Sequence, residues 1–312
     1  MHLLFESGFF SSEPVHTAAV IGAVAAIVSA IVGTFTVVRS QSFAGHALTD
    51  VATTGGSGAF LLGLSPLTGF IGGGIVGGGA MELIGVERAR VRDVATGIVL
   101  GAATGLSALF LYLDTTRSAT TGATQQILFG SIFSIDQSIV PLVVILSAAT
   151  LVIVGAIYRP LFLSSVSPEL ASARGIRLRF VGLLFMFALA VSVGLSSLAT
   201  GSILSTALLI GPAATALRLA RSLRTAMVLA CIFGIVATWL GILFAYDSAY
   251  WDPSSQGLPV SFFIVAIIVL LYLASGLSVV RRFAGRRDGG EAILGAVPSA
   301  SPDATPDATA AI

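Results

Sequence analysis

The chain contains no lysine, and this absence excludes an ATP-binding P-loop. All sixteen basic residues are arginine, whereas a P-loop needs a lysine after its glycines. Any use of ATP must therefore come from another subunit. The single cysteine, Cys231, excludes disulfides within the chain and thiolate clusters. Because Cys231 lies in an apolar run, we expect it to be a buried packing thiol.

Charged residues are also scarce. They make up 10% of the 312 residues, and 55% are hydrophobic, whereas soluble domains carry about 25% charged residues. The mean hydropathy is +0.99. This composition predicts an all-α polytopic membrane protein. Residues 1–15 carry acids and no basic n-region, so they do not match a cleaved signal peptide.

A membrane-spanning helix needs about 20 mostly apolar residues, and the chain contains about nine such segments. We expect a bundle of spans near residues 15–38, 45–63, 66–86, 94–113, 138–158, 180–198, 201–217, 225–246 and 259–280. Residues 115–137 are ambiguous and could hold a short helix at the surface. Residues 1–284 thus form a transmembrane domain, and residues 285–312, rich in Ala, Pro, Asp and Ser, form a disordered cytoplasmic tail.

The arginines predict the orientation of these spans. Every arginine except Arg117 falls on one side of the bundle, which the positive-inside rule makes cytoplasmic. The N-terminus is therefore expected outside and the C-terminus inside the cytoplasmic membrane. Acids that we expect to be exposed lie on the opposite side, at Glu6, Glu13, Asp114, Asp247 and Asp252.

The longest internal loop, residues 159–179, contains the pattern of a short capped helix. Ser167 is a suitable N-cap, Pro168 suits the first turn, and Gly175 can end the helix. On the cytoplasmic surface of a transporter such a helix is a natural docking element. An ordinary amphipathic connector is the equal alternative.

Small residues dominate the second and third spans. Residues 69–79 repeat small-xxx-small spacing, which lets helix backbones approach closely in lipid, so we expect tight packing of the third span rather than contact with a substrate. In the second span, Thr53, Thr54 and Ser57 form a hydroxyl-bearing face beyond Asp50. This face indicates either a narrow polar path or helix packing.

His46 and Asp50 are one helical turn apart in the second span. Side chains at i and i+4 share a helix face, and an imidazole with a carboxylate can bind one divalent cation there. Ionisable groups inside a span mark an ion or substrate pathway by default. Alternatively, the two residues bond to each other or to a helix end, since the predicted topology places them within about two turns of the cytoplasmic surface.

Other sites are poorly supported. His46 is the only histidine inside a predicted span, so no nucleophile–base arrangement indicates an enzyme. No basic patch with interleaved aromatic residues indicates nucleic-acid binding.

Four segments resemble motifs of the zinc/manganese/iron-uptake ABC permeases, in the family's order and across about residues 15–280. They are the second-span signature at 38–50, the Leu-Phe-Gly element at 128–132, the coupling segment at 167–176 and the apolar run at 201–216, which ends in Pro-Ala-Ala-Thr-Ala. The resemblance implies a type II ABC-importer-like permease that imports Mn, Zn or Fe and has no cofactor of its own. It also implies two ATPase subunits, an extracytoplasmic metal-binding protein and a second permease copy as partners.

The resemblance also implies roles for individual residues. His46 and Asp50 would hold the transported ion. A cytoplasmic coupling segment, about residues 163–179, would dock into the ATPase, with Glu169 and Arg174 as polar contacts. The coupling residues are Ser167, Pro168, Glu169, Leu170, Ala173, Arg174 and Gly175.

The metal-binding pair departs from the family's usual Gly-Asp-x-x-Ser-His, because here the histidine precedes the aspartate. The exchange moves the negative charge by about 6 Å, one turn at 1.5 Å per residue. This shift affects the expected identity of the transported metal more than the expected role of the pair in binding it. In a two-fold dimer the pair would double around one axis. Its nitrogen and oxygen ligands suit Zn, Mn or Fe rather than copper(I).

Two other functional classes stay open. A secondary cation transporter or channel would use the same His46/Asp50 face without ATP. A membrane scaffold or receptor would have no evident use for the pair.

Overall fold

A computed structural model describes Phe9 and residues 12–84, 89–117, 122–130, 132–249 and 257–294. Two 3₁₀ turns in this part of the chain, Ile132–Ser134 and Gln137–Ile139, precede the sixth helix. The α-helices are α1 (Glu13–Val38), α2 (Ser42–Leu61), α3 (Pro66–Ile84), α4 (Ala89–Arg117), α5 (Gly122–Phe129), α6 (Val140–Ala156), α7 (Tyr158–Val166), α8 (Pro168–Ala173), α9 (Leu178–Thr200), α10 (Ser202–Leu219), α11 (Leu223–Ser248) and α12 (Val260–Leu294).

The long helices follow the predicted spans in order. Among the described residues, α1, α4, α6, α9, α10, α11 and α12 contain segments long and apolar enough to cross a membrane. The more polar α2, which carries the imidazole, the carboxylate and several hydroxyls, packs along α3 and α4, and α3 packs along α9. The sequence therefore predicts the all-helical architecture correctly, with a count of spans that is approximate.

The centre of the bundle is formed by α1 and α9, which are mostly buried. Around them lie α6, α10 and α11. The large side chains Phe35, Phe185 and Leu189 are fully buried there, and the hydroxyl oxygens of Ser29 and Ser196 lie 2.6 Å apart across the interface. Between lipid-embedded helices, such close packing and interhelical hydrogen bonds replace the hydrophobic effect as the source of association.

Glycine brings α2 and α3 into backbone contact. A Cβ on Gly73 would lie 2.8 Å from the carbonyl oxygen of Val51 and 3.0 Å from the Cα of Gly55. On its other side α3 meets α9, where a Cβ on Gly74 would lie 3.2 Å from the Cβ of Ala190. The prediction that the glycine run packs the third span is confirmed.

The segment that the sequence left ambiguous, residues 115–137, does contain a short helix, α5, which lies at the surface of the bundle with one side chain buried in it. Ile127 is fully buried, and α5 contacts α2, α4, α9 and α10. At its end Gly130 packs against Gly201, the residue between α9 and α10, and both have positive φ, 74° and 76°. A Cβ on Gly130 would lie 2.6 Å from the nitrogen of Gly201.

Some local expectations were wrong. Asp114 and Asp247 are buried, with 2% and 1% of their surface exposed, because the last turns of α4 and α11 pack inside the bundle. Cys231 is half-buried rather than buried. Glu6 and Asp252 lie outside the described residues.

Helix α12 extends into the segment where the tail is predicted. It continues to Leu294, past residue 285. Residues 295–312 lie outside the described part of the chain.

Candidate functional site

His46 and Asp50 lie on α2 and each bonds to a threonine on a different neighbouring helix. The Nδ1 of His46 lies 3.1 Å from the Oγ1 of Thr206 on α10. The Oγ1 of Thr104 on α4 donates to the Oδ2 of Asp50 at 3.0 Å. The two residues are therefore held by separate partners, and the alternative of a direct bond between them is not supported by this geometry.

The pair lies beside the middle of two neighbouring helices and near the end of a third. Thr104, the partner of Asp50, is next to the midpoint of α4. Gly45, which precedes His46, packs against Leu209 next to the midpoint of α10, and a Cβ on Gly45 would lie 3.4 Å from the Leu209 Cδ2. A Cβ on Gly45 would also lie 3.4 Å from the Cγ2 of Thr36, two residues before α1 ends. The position of the pair within about two turns of the cytoplasmic surface therefore stays a prediction.

One chain leaves the site open on one side. His46 is exposed and Asp50 is half-buried. An imidazole and a carboxylate inside a helix bundle are costly against hydrocarbon, so this face needs water or a second protein surface. Among the described residues no group of three His, Cys, Asp or Glu side chains could hold a metal ion. Of these residue types, His46 and Asp50 are the two that the described chain brings to this face.

The hydroxyl-bearing face beyond Asp50 is used for packing. Thr53 and Ser57 are buried, and the Oγ1 of Thr53 donates to the carbonyl of Thr49 at 2.7 Å. The Oγ1 of Thr54 donates to the carbonyl of Ala103 on α4, also at 2.7 Å. Of the two readings of this face, the structure favours helix packing over an open polar path.

The predicted capped helix exists as α8. The Oγ of Ser167 accepts a hydrogen bond from the backbone N–H of Leu170 at 3.3 Å. Pro168 occupies the first turn, and Gly175 follows the C-cap Arg174 with a φ of +76°. Glu169, Leu170, Ala173 and Arg174 are exposed. The helix and its caps are confirmed, and its side chains are free to meet a partner surface.

Arg39 connects this region to the start of α2. Its Nη1 donates to the Oγ of Ser164 on α7 at 3.1 Å, and its Nε donates to the Oε1 of Gln41 at 3.2 Å. The guanidinium also lies 5.3 Å from the ring centroid of Phe185 on α9. Because Gln41 immediately precedes α2, one side chain joins the α7–α8 segment to the helix that carries His46.

The sequence pattern of the ABC 3 transport family matches residues 11–279. The chain belongs to this family. The match runs from the beginning of α1 into α12, so it includes α2, α8 and α10, and it confirms the resemblance to the metal-uptake ABC permeases. An ABC 3 transport family permease of this kind is a multi-pass bacterial membrane protein that serves metal uptake.

Relatives in the family are named for metal transport. The manganese transport system membrane protein MntC of Listeria monocytogenes is 30% identical over 78% of this chain and 86% of its own length. The chelated iron transport system membrane protein YfeD of Yersinia pestis is 30% identical over 86% of this chain and 90% of its own. The structure of PsaBC from Streptococcus pneumoniae in complex with Fab has a TM-score of 0.73 at 26% identity, covering 86% of this chain and 92% of that chain.

Sequence reasoning missed the two threonines that hold the pair. Thr206 lies within the apolar run at 201–216, whose resemblance to the family was noted without a role for this residue. Thr104 lies in no motif. Nothing in the sequence indicates which helix faces α2 at the level of Asp50, so only the folded structure identifies these partners.

Proposed function

We propose that the chain is the permease subunit of an ATP-driven importer for a divalent transition metal, and that His46 and Asp50 bind the ion in transit. The observation that carries the proposal is an exposed histidine one turn from a half-buried aspartate on α2, each bonded to a threonine of a different neighbouring helix. Relatives named for manganese and chelated iron transport support the choice of cargo.

The partners of the two side chains suit metal binding. With the Nδ1–H of His46 donating to Thr206, the Nε2 keeps its lone pair for a metal. A hydrogen bond to the ring nitrogen that does not bind the metal fixes the tautomer and the ring orientation of a histidine ligand. In Asp50 the Oδ2 accepts from Thr104, and the Oδ1 is the oxygen left for the ion. Each chain then supplies one nitrogen and one oxygen ligand.

A second permease copy would complete the site. A closed two-fold dimer presents the same patch from both chains, so two imidazoles and two carboxylates would surround one ion. The two carboxylates would neutralise a divalent charge that is otherwise very costly in a low-dielectric interior. Such a dimer would also cover the exposed His46. The site should stay weak enough to release its ion.

The α8 segment would couple ATP hydrolysis in the ATPase to movement of the permease helices. We assign it to the ATPase interface, with Glu169 and Arg174 as polar contacts. Movement of α8 would reach α2 through Ser164, Arg39 and Gln41. This assignment requires the arginine-rich end of the bundle to be cytoplasmic, as the positive-inside rule predicts, and the N-terminus to be outside.

The proposal is tested by metal uptake in the transporter assembled with its ATPase and its extracytoplasmic metal-binding protein. His46→Ala and Asp50→Ala should each abolish uptake of Mn, Zn or Fe while ATPase activity persists, because neither residue contacts nucleotide. His16→Ala, which changes a histidine far from the pair, is the matched control and should leave uptake unchanged. Uptake that survives both changes at the pair contradicts the proposal. Ion flux without nucleotide would instead indicate a secondary transporter.

A further inference from the structure

A groove on another side of the bundle has two arginines at one end. It lies among α1, α6 and α11 and has a volume of about 700 Å³. His46 and Asp50, in contrast, lie between α2, α4 and α10. The groove is therefore separate from the proposed path of the metal ion.

The charge of the groove is entirely positive. Of the described residues, Arg159 and Arg224 are the only charged ones that line it, and both are exposed. Arg159 is the second residue of α7, just after α6 ends, and Arg224 is the second residue of α11. Both helix boundaries lie at the arginine-rich end of the bundle, so the two guanidinium groups face the same polar region.

Beyond the arginines the groove is apolar. Met227, Ile232 and Ile235 line it along α11. From Arg224 to Ile235 the helix rises about 16 Å at 1.5 Å per residue. One leaflet of a bilayer contributes about 15 Å of hydrocarbon, half of the total thickness. The groove thus extends from the polar end of the bundle through roughly one leaflet.

We propose that this groove binds an anionic phospholipid. The phosphate lies between Arg159 and Arg224, where guanidinium groups match its charge and geometry, and an acyl chain follows α11 past Ile235. Basic pockets at the cytoplasmic ends of spanning helices bind anionic headgroups in this way. A neutral apolar occupant would fill the groove without using either arginine, and a small anion would use the arginines without filling the groove.

The test uses the assembled transporter, purified in detergent and titrated with phosphatidylglycerol or phosphatidylcholine of identical acyl chains. Lipid retained on the permease is counted by native mass spectrometry. The wild type should retain phosphatidylglycerol about tenfold more strongly than phosphatidylcholine. The double variant Arg159→Ala/Arg224→Ala should lose this preference.

A matched control removes the same charge elsewhere. Arg218 and Arg221 are exposed and do not line the groove, so Arg218→Ala/Arg221→Ala should keep the preference. Cys231, the only cysteine of the chain, lines the groove and gives a second readout. Its labelling by a maleimide, followed on the intact permease mass, should slow in phosphatidylglycerol for the wild type and the control but not for the groove variant.

Three results would overturn the proposal. Equal retention of the two lipids by the wild type would mean ordinary boundary lipid. If the groove variant and the control lost the preference for phosphatidylglycerol equally, the preference would be a general effect of surface charge. Protection of Cys231 by inorganic phosphate alone would make the ligand a small anion. Because none of these variants changes His46, Asp50 or α8, each result is independent of the proposed metal path.

Discussion

Gly130 and Gly201 meet backbone to backbone, and both have a positive φ. A Cβ on Gly130 would lie 2.6 Å from the nitrogen of Gly201. Gly201 immediately precedes α10, the helix from which Thr206 reaches His46. This contact joins two segments that are far apart in the sequence, and it fixes where α10 begins.

Replacing Gly201 with alanine should destabilise the permease and reduce transport. The backbone at Gly201, with φ 76° and ψ 163°, lies in a region used almost only by glycine, and a side chain there costs about 1–3 kcal/mol. The new Cβ would also clash with the backbone at Phe129 and Gly130. The loss of stability is measured by thermal unfolding of the purified permease in detergent.

Gly63 offers the matched control for this change. Its φ is +73°, and nothing lies within 4 Å of a Cβ placed there. Gly63→Ala should therefore lower the thermal stability of the permease less than Gly201→Ala does. Equal losses of thermal stability would mean that the contact between Gly130 and Gly201 contributes nothing.

Exchanging the two proposed ligands should preserve transport. The double variant His46→Asp/Asp50→His keeps one imidazole and one carboxylate one turn apart, in the order usual for the family. We expect it to retain uptake with an altered ratio of Mn to Zn, since the position of the negative charge shifts by about 6 Å. The single variant Asp50→His, which leaves no carboxylate, should transport neither metal. A double variant as inactive as this single variant would show that the order of the ligands, and not their chemistry, is essential.

Reversing the charge of Glu169 should weaken the connection to the ATPase. Glu169 is exposed on α8, so Glu169→Arg should leave the fold intact while it reduces co-purification of the ATPase or uncouples hydrolysis from uptake. Glu13→Arg is the matched control, because Glu13 is an exposed acid at the first residue of α1, at the opposite end of the bundle. Normal assembly and coupled transport in the Glu169 variant would count against docking through α8.

The architecture could be predicted from the sequence because long apolar runs specify spanning helices directly. The caps of α8 were predicted for a similar reason, since Ser167, Pro168 and Gly175 act within a few residues of one another. The glycine run was correctly assigned to packing. Each of these features depends on local sequence, or on a residue type with few other uses.

The hydrogen-bond partners of the proposed metal ligands could not be predicted, because they depend on how far each helix is shifted along its neighbours. Gly45 against Leu209 sets the level of α2 on α10. The spacing of His46 and Asp50 places both on one face of α2, yet their side chains bond to α10 and α4. The burial of Asp114 likewise depends on how the last turn of α4 packs.

The most direct test of the shared site is the number of metal ions bound per permease chain. It is measured by equilibrium dialysis of the nucleotide-free permease–ATPase complex with Mn²⁺, in the absence of the extracytoplasmic binding protein. One chain offers a histidine and an aspartate, so the account predicts one ion for every two permease chains, lost in both His46→Ala and Asp50→Ala. One ion per chain, or binding unchanged in both variants, would contradict it.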